Sequence, residues 1–203
     1  GSDNVAVGTG ALQNNTTASN NTGVGRDALK LNTTGIQNTA VGAYTLDANT
    51  SGNYSVAVGV NALTSNTTGD ENVSVGVNSL NVNTTGNYLT AVGANALRYN
   101  QTASSNVAVG NTSLFRNTTG DNNTTIGTNS LKENTTGTQN VALGTNALDA
   151  NTTASYNTGL GTDAFGSLTT GGFNTAVGRQ AGASCTTAEN TVAIGAGAMS
   201  NNT

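Results

Sequence analysis

The sequence predicts an all-β protein, a parallel β-solenoid of twelve 17-residue coils. Three observations support this prediction: a constant repeat length, a short β-branched phrase in each copy, and turn-forming residues between copies. A fixed period over many copies is the signature of a stacked repeat architecture. Helical-hairpin repeats need about 33 residues or more, so a 17-residue unit favours β-structure.

The period is carried by a glycine that recurs every 17 residues without insertion or deletion. Positions are numbered below from this glycine, so that −1 precedes it and +4 lies four residues after it. A one-residue slip would turn every side chain of a strand to the opposite face, which explains why the repeat length is constant. The twelve glycines are Gly8, Gly25, Gly42, Gly59, Gly76, Gly93, Gly110, Gly127, Gly144, Gly161, Gly178 and Gly195.

Each copy is expected to contain two short strands joined by turns. The phrases "NVAVG" and "NTAVG" are short and β-branched, and "ALxxN" is a second apolar segment. The phrase "NTTG" supplies Asn and Gly, which favour tight turns. Coils that stack through parallel strand pairing at about 4.8 Å would build a rod roughly 57 Å long.

An asparagine at +7 is predicted to form a ladder along the rod, because identical residues of stacked coils lie above one another and their amides can hydrogen-bond. Leu168 and Cys185 replace this asparagine in two late copies, and Cys185 is interpreted as a small buried substitute. The predicted ladder consists of Asn15, Asn32, Asn49, Asn66, Asn83, Asn100, Asn117, Asn134 and Asn151.

The inward and outward faces can be assigned in two ways, because successive side chains of a strand point to opposite sides. We expect Val at −1 and Leu at +4 to fill the coil, leaving a small-residue stripe for close approach of another chain. In the alternative, small residues line the coil and Val and Leu face outward. Either assignment leaves an apolar stripe to be buried, so an oligomer is predicted.

Composition excludes several classes of function. Charged residues make up 8% of the chain and the net charge is −4, whereas nucleic-acid binding needs a basic surface. No stretch of about 18 apolar residues is present, so membrane insertion is not expected. Histidine, the commonest general base, does not occur, and no two acids lie 17 residues apart. We therefore expect no enzyme, no catalytic residues, no cofactor and no metal site.

The phrase "NTAVGxxALxxNTTGxxN" resembles the repeats of phage tail-fibre and bacterial surface-fibre proteins. It is also similar to the "SVAIG" coils in the heads of trimeric autotransporter adhesins, although those heads use shorter coils. The resemblance covers residues 4–203 and implies a left-handed β-roll. It further implies a homotrimer, intertwined or side by side, located outside the cell, on a cell surface or in a virion fibre. Its implied role is structural and adhesive, towards a cell-surface glycan or protein receptor.

Exposed aromatic side chains are the candidate ligand contacts, because aromatic faces can stack on sugar rings; covering a turn or packing against a neighbouring subunit is the alternative. Four of them share position −5, and Tyr44 and Tyr99 lie in other loop columns. The six candidates are Tyr54, Tyr88, Tyr156, Phe173, Tyr44 and Tyr99.

Two other functions remain open. The repeated Asn-x-Thr of positions +7 and +9 would suit an ice-binding face, and carboxylates such as Glu133 and Asp149 would be needed by a glycan-degrading fibre enzyme.

We interpret residues 1–2 as a cloning remnant and residues 3–203 as one solenoid domain, a piece of a longer fibre. Copies ten to twelve, from about 157 to 203, depart from the consensus, which could mark a transition to another domain or a functional tip.

Overall fold

The computed structural model describes residues 1–201 and is a β-solenoid, as the repeat predicts. Twelve three-residue strands form one parallel sheet in chain order, so each strand pairs only with the coils before and after it. The strands are β1 (Val5–Val7), β2 (Thr22–Val24), β3 (Thr39–Val41), β4 (Val56–Val58), β5 (Val73–Val75), β6 (Thr90–Val92), β7 (Val107–Val109), β8 (Thr124–Ile126), β9 (Val141–Leu143), β10 (Thr158–Leu160), β11 (Thr175–Val177) and β12 (Val192–Ile194).

The register of the sheet is that of the sequence repeat. Ala40 of β3 lies opposite Ala57 of β4, and the same 17-residue offset holds for every neighbouring pair from β1 to β12. Each glycine at position 0 ends a strand with φ between 116° and 138°. A Cβ atom at Gly42 would lie 2.6 Å from the carbonyl oxygen of Gly59, so the coils approach too closely here for any other residue.

Only one strand forms in each coil, and the prediction of a second strand around "ALxxN" is wrong. The residues at +2 and +4 take the left-handed conformation, with φ of 58° at Tyr44 and 51° at Leu46. This segment is a series of turns tied to the next coil, for example by the Leu46 N–H to the Ala62 carbonyl at 3.2 Å. An extended strand cannot contain two left-handed residues, so the sheet stops at the glycine.

The core combines the two face assignments considered above. Leucine at +4 is fully buried, as expected, but the small residues at −2 and +3, such as Ala57 and Ala62, are buried beside it. Val at −1 points outward, so our assignment of Val to the interior is wrong. The strand of each coil lies close to the turn that faces it across the interior. Because this space is narrow, it holds small side chains from the strand and one leucine from the turn. Both +3 and +4 face inward because the left-handed residue at +4 breaks the alternation of an extended chain.

The outward face of the sheet is an apolar stripe made of positions −3 and −1. Position −1 is Val, Ile or Leu in all twelve strands, and position −3 is Val or Thr. Ile126 is 41% exposed and Leu143 40% exposed near the middle of the rod. We call this surface the sheet stripe.

The asparagines at +7 are hydrogen-bonded from coil to coil. Each Nδ2 donates to the Oδ1 of the preceding coil's asparagine, for example Asn49 to Asn32 at 2.8 Å and Asn83 to Asn66 at 2.9 Å. The same Nδ2 also donates to the backbone carbonyl three residues on, as Asn49 does to Gly52 at 3.0 Å. From Asn32 to Asn151 these side chains are fully buried, so the ladder satisfies polar groups in the solenoid interior.

Candidate ligand-binding edge

One column of residues, five positions before each glycine, protrudes along the whole rod. All twelve members are exposed, and all have φ between 52° and 62°. We call this set the Tyr54 column. It consists of Asp3, Asn20, Gln37, Tyr54, Glu71, Tyr88, Ser105, Asn122, Gln139, Tyr156, Phe173 and Asn190.

The left-handed backbone fixes where these side chains leave the rod. The Tyr54 N–H donates to the Ile36 carbonyl at 3.1 Å, and the Glu71 N–H donates to the Asn53 carbonyl at 3.0 Å. Each member is therefore held one coil spacing above the previous one in the same orientation. Asn tolerates this conformation well, whereas a bulky residue there is strained, so the turn itself does not favour Tyr or Phe at these positions.

A second set of asparagines, at position −4, forms hydrogen bonds to the backbone next to the Tyr54 column. The Oδ1 of Asn38 accepts from the Ser55 N–H at 2.9 Å, and its Nδ2 donates to the Gly52 carbonyl at 2.8 Å. This side chain therefore ties the residue before β4 to the turn three residues earlier in the same coil. Sequence reasoning missed this set, although Asn at −4 recurs with the same period as the asparagine at +7.

Four of the six candidate aromatics lie in the Tyr54 column. Tyr156 and Phe173 occupy neighbouring coils, and their rings stack with centroids 4.8 Å apart and planes 5° apart. This pair borders a shallow recess that Thr153, Thr170 and Glu189 also line. Tyr54 and Tyr88 are separated by one coil, and Glu71 lies between them.

The other two candidates lie elsewhere, so the six aromatics do not form one site. Tyr44 follows position 0 by two residues, and the Arg26 guanidinium lies 5.0 Å from its ring centroid. Tyr99 packs edge-on against Phe115 at 5.0 Å, with Arg98 5.4 Å from its ring. These contacts make Tyr44 and Tyr99 parts of cation–aromatic clusters in the turns after the glycine.

Charges are segregated between these edges. The six Lys and Arg residues all lie at +1, +5 or +6, as Arg26, Lys30, Arg98, Arg116, Lys132 and Arg179. Half of the ten acids lie at −6 or −5, as Asp3, Asp70, Glu71, Asp121 and Glu189. The edge that carries the Tyr54 column therefore holds acids and no basic side chain.

Glu133 and Asp149, the carboxylates considered for catalysis, lie on neighbouring coils, where the Glu133 N–H donates to the Asp149 carbonyl at 3.1 Å. Arg116 binds Glu133 at 2.8 Å and Lys132 lies 3.5 Å from it, so the charge of Glu133 is neutralised. Burial raises the pKa of Asp149, and likewise the pKa of Asp47. Within residues 1–201 no three His, Cys, Asp or Glu side chains are grouped as a metal site requires.

Cys185 lies in the asparagine column and is 2% exposed. Burial raises the pKa of its thiol, and a protonated thiol is a poor nucleophile.

The Asn-x-Thr pair predicted for an ice-binding face is divided between inside and outside. The asparagines at +7 form the buried ladder, whereas the residues at +9 are all exposed. Ten of these eleven are Thr, and Ser51 is the exception. Asparagine therefore cannot contribute to such a face, and a single threonine column remains.

Comparison with family models, curated proteins and solved structures finds no match to this chain. In the part of the chain that the structure describes, no helix is both long and apolar enough to cross a membrane.

Proposed function

We propose that this chain is a rod-like segment of an extracellular fibre, on a cell surface or a virion. It assembles as a homotrimer and presents the Tyr54 column to a host-surface glycan or protein receptor. Its role is mechanical and adhesive rather than catalytic. The observation that carries this proposal is the coexistence of two surfaces on one rigid rod: the sheet stripe, and the exposed column of varying residues.

The sheet stripe supports assembly with copies of the same chain. It is apolar at −1 in all twelve strands and runs about 50 Å at the strand spacing. Long exposed apolar surfaces mark protein interfaces. Because every coil presents the same residues, the same stripe on a parallel copy matches it in register, which a cyclic assembly around the rod axis requires. The number three rests on the resemblance to tail-fibre and adhesin repeats.

The variability of the Tyr54 column supports a recognition role. Positions that build the coil keep their residue type in most copies, whereas the Tyr54 column holds Asp, Glu, Asn, Gln, Ser, Tyr and Phe. Since nothing in the coil requires a given side chain there, function can select these residues freely.

Binding of the full chain to a glycan array tests this proposal. The matched variant is Tyr156→Asn with Phe173→Asn, because Asn already occupies the column at Asn20, Asn122 and Asn190. We expect binding to be lost in this variant or in Tyr54→Asn with Tyr88→Asn, while Tyr99→Asn leaves it unchanged. No binding to glycans or to intact cells by the unsubstituted chain would overturn the adhesive role.

A second candidate function is ice binding through the exposed Thr column at +9. These residues repeat at the coil spacing on one edge of a rigid rod, which could order water in a regular array. Thermal hysteresis at millimolar protein concentration would support this function, and its absence would remove it.

A further inference from the structure

We infer that Tyr54, Glu71 and Tyr88 form a binding gap for an organic ammonium group, with the two rings as walls and the carboxylate at the base. This inference rests on the proposed recognition role of the Tyr54 column and names the chemistry of its ligand. The preferred group is a quaternary ammonium such as that of choline.

The spacing of the two tyrosines suits a cation. Tyr54, Glu71 and Tyr88 occupy the same position of three consecutive coils, with φ of 57°, 56° and 57°. Two coil spacings separate the tyrosines, about 9.6 Å. A cation midway between the rings would lie about 4.8 Å from each, inside the roughly 6 Å range of cation–π attraction.

The Tyr156–Phe173 pair indicates how rings in this column are oriented. Those two rings, one coil apart, stack face to face at 4.8 Å and leave no space between them. With the same backbone conformation, the rings of Tyr54 and Tyr88, two coils apart, would face each other across the level that Glu71 occupies. Tyr54 and Tyr88 are 52% and 59% exposed, so their faces are open to solvent.

Glu71 supplies the negative charge at the middle level. An extended glutamate side chain reaches about as far from the backbone as the ring centre of tyrosine, so the cation enters with the Glu71 side chain folded back towards the rod, where its carboxylate forms the base of the gap. Tyr54 and Glu71 already line a shallow depression. Asp70 adds negative charge to the same edge, although its Oδ1 accepts from the Asn53 N–H at 2.7 Å and from the Asn53 Nδ2 at 3.0 Å.

The charge of the whole edge favours a cation over an anion. No Lys or Arg occupies −6 or −5 in any coil, and Asp70 and Glu71 have no basic partner among the ion pairs of the described residues. A local excess of acids attracts cations. A primary ammonium is strongly hydrated, whereas a methylated ammonium loses less hydration between two rings, which is why aromatic cages select it.

Titration of the full chain with choline, followed by NMR of the ligand methyl groups and by calorimetry, tests the gap. The control ligand is 3,3-dimethylbutan-1-ol, which has the same shape without the charge. We expect one choline site per chain with a millimolar dissociation constant, and at least tenfold weaker binding of the neutral alcohol.

The protein variants use residues that this column already contains. Tyr54→Asn and Tyr88→Asn introduce the residue that the column already has at Asn20, and Glu71→Gln introduces the residue that it has at Gln37. Folding should therefore be preserved. We expect each to weaken choline binding at least fivefold, while Tyr99→Asn, on another edge, has no effect. The double variant Asn122→Tyr with Gln139→Glu repeats the arrangement next to Tyr156, and we expect it to bind a second choline.

The inference would be overturned if choline and the neutral alcohol bound equally well, or if no choline bound at 100 mM ligand. It would also be overturned if Tyr99→Asn weakened choline binding as much as Tyr54→Asn does. A double variant that binds no second choline would contradict the spacing argument. Glycan-array and mass measurements on the same sample separate these outcomes from a failure of the fibre proposal, since a receptor-binding trimer without choline affinity refutes only the ammonium gap.

Discussion

Phe165 fills the space that Gly182 leaves empty one coil above it. Both residues occupy position +4, which is leucine in the first nine copies. A Cβ atom at Gly182 would overlap Cε1 and Cδ1 of the Phe165 ring, and Phe165 is fully buried. A large and a small departure from the consensus therefore compensate for each other, and β10, β11 and β12 pair in the same register as the earlier strands.

This compensation predicts strong coupling between the two positions. Gly182→Leu alone should destabilise the protein by more than about 2 kcal/mol, because the added side chain has no space beside Phe165. Phe165→Leu alone should cost about 1 kcal/mol through the cavity that it leaves. Together, Phe165→Leu and Gly182→Leu restore the consensus, and stability should return to near that of the unsubstituted chain. Chemical denaturation measures the three variants, and additive effects would contradict the compensation.

Interruption of the asparagine ladder should be costly in the middle of the rod. Asn100 donates to Asn83 Oδ1 and to the Ala103 carbonyl, both at 2.9 Å, and accepts from Asn117 Nδ2 at 3.1 Å. Asn100→Ala leaves buried polar atoms without partners, so we expect a loss of about 2–4 kcal/mol. The control is Asn15→Ala at the first rung, where the side chain is partly exposed. A similar loss in both variants would show that burial of the ladder is not the cause.

The ladder already contains one natural interruption. Leu168 occupies the rung after Asn151, and among the described residues Asn151 Oδ1 is a buried atom with no hydrogen-bond partner. Such a group costs free energy in the folded state. The chain tolerates this unpaired atom in the coils that contain Phe165 and the fully buried Leu168.

Asp47 and Asp149 should make the protein less stable as the pH rises. Burial raises the pKa of each carboxyl above its ordinary value of 3.8, so the folded state holds the proton more tightly than the unfolded chain. The stability that the two protonated carboxyl groups contribute is fully present below pH 3.8 and is lost as the pH rises through their folded-state pKa. The double variant Asp47→Asn with Asp149→Asn should therefore stabilise the protein at pH 7 and leave its stability unchanged at pH 3. The expected gain at pH 7 is only about 0.5–1 kcal/mol, because both carboxyl groups are partly exposed. Thermal unfolding at both pH values is the measurement, and a larger gain at pH 3 would be inconsistent with this sign.

A charge on the sheet stripe should break the assembly without unfolding the coil. Ile126→Lys with Leu143→Lys places two charges on the outward face of β8 and β9, where they cost little in a single chain but would be buried unpaired in an oligomer. We expect a monomer with an unchanged circular dichroism spectrum. The control is Thr136→Lys in the exposed column at +9, which should keep the oligomer. If the stripe variant has the same mass as the control, the stripe is not the interface.

The sequence was most informative where the period alone decides the structure. A constant 17-residue spacing fixes the parallel register, and it stacks the asparagines at +7 so that their amides meet. The side-chain directions in the second half of the coil could not be predicted, because alternation holds only for extended chain and Leu46 is left-handed. Leucine is uncommon in that conformation, so nothing in its identity signals the turn.

The candidate edge was only partly predictable. The shared column of Tyr54, Tyr88, Tyr156 and Phe173 follows from the period. The contacts of Tyr44 with Arg26 and of Tyr99 with Phe115 depend on the path of the turns, which the period does not specify. The segregation of acids from basic residues was available in the sequence, but its meaning required knowing that positions −6 and −5 share an exposed edge.

The mass of the particle in solution tests the central claim most directly, because the sheet stripe is explained only if copies of this chain cover it. Light scattering coupled to size exclusion should give three times the chain mass of 20.0 kDa, independent of concentration over the micromolar range. A stable mass of 20.0 kDa would contradict the fibre proposal and leave the stripe exposed on a single rod.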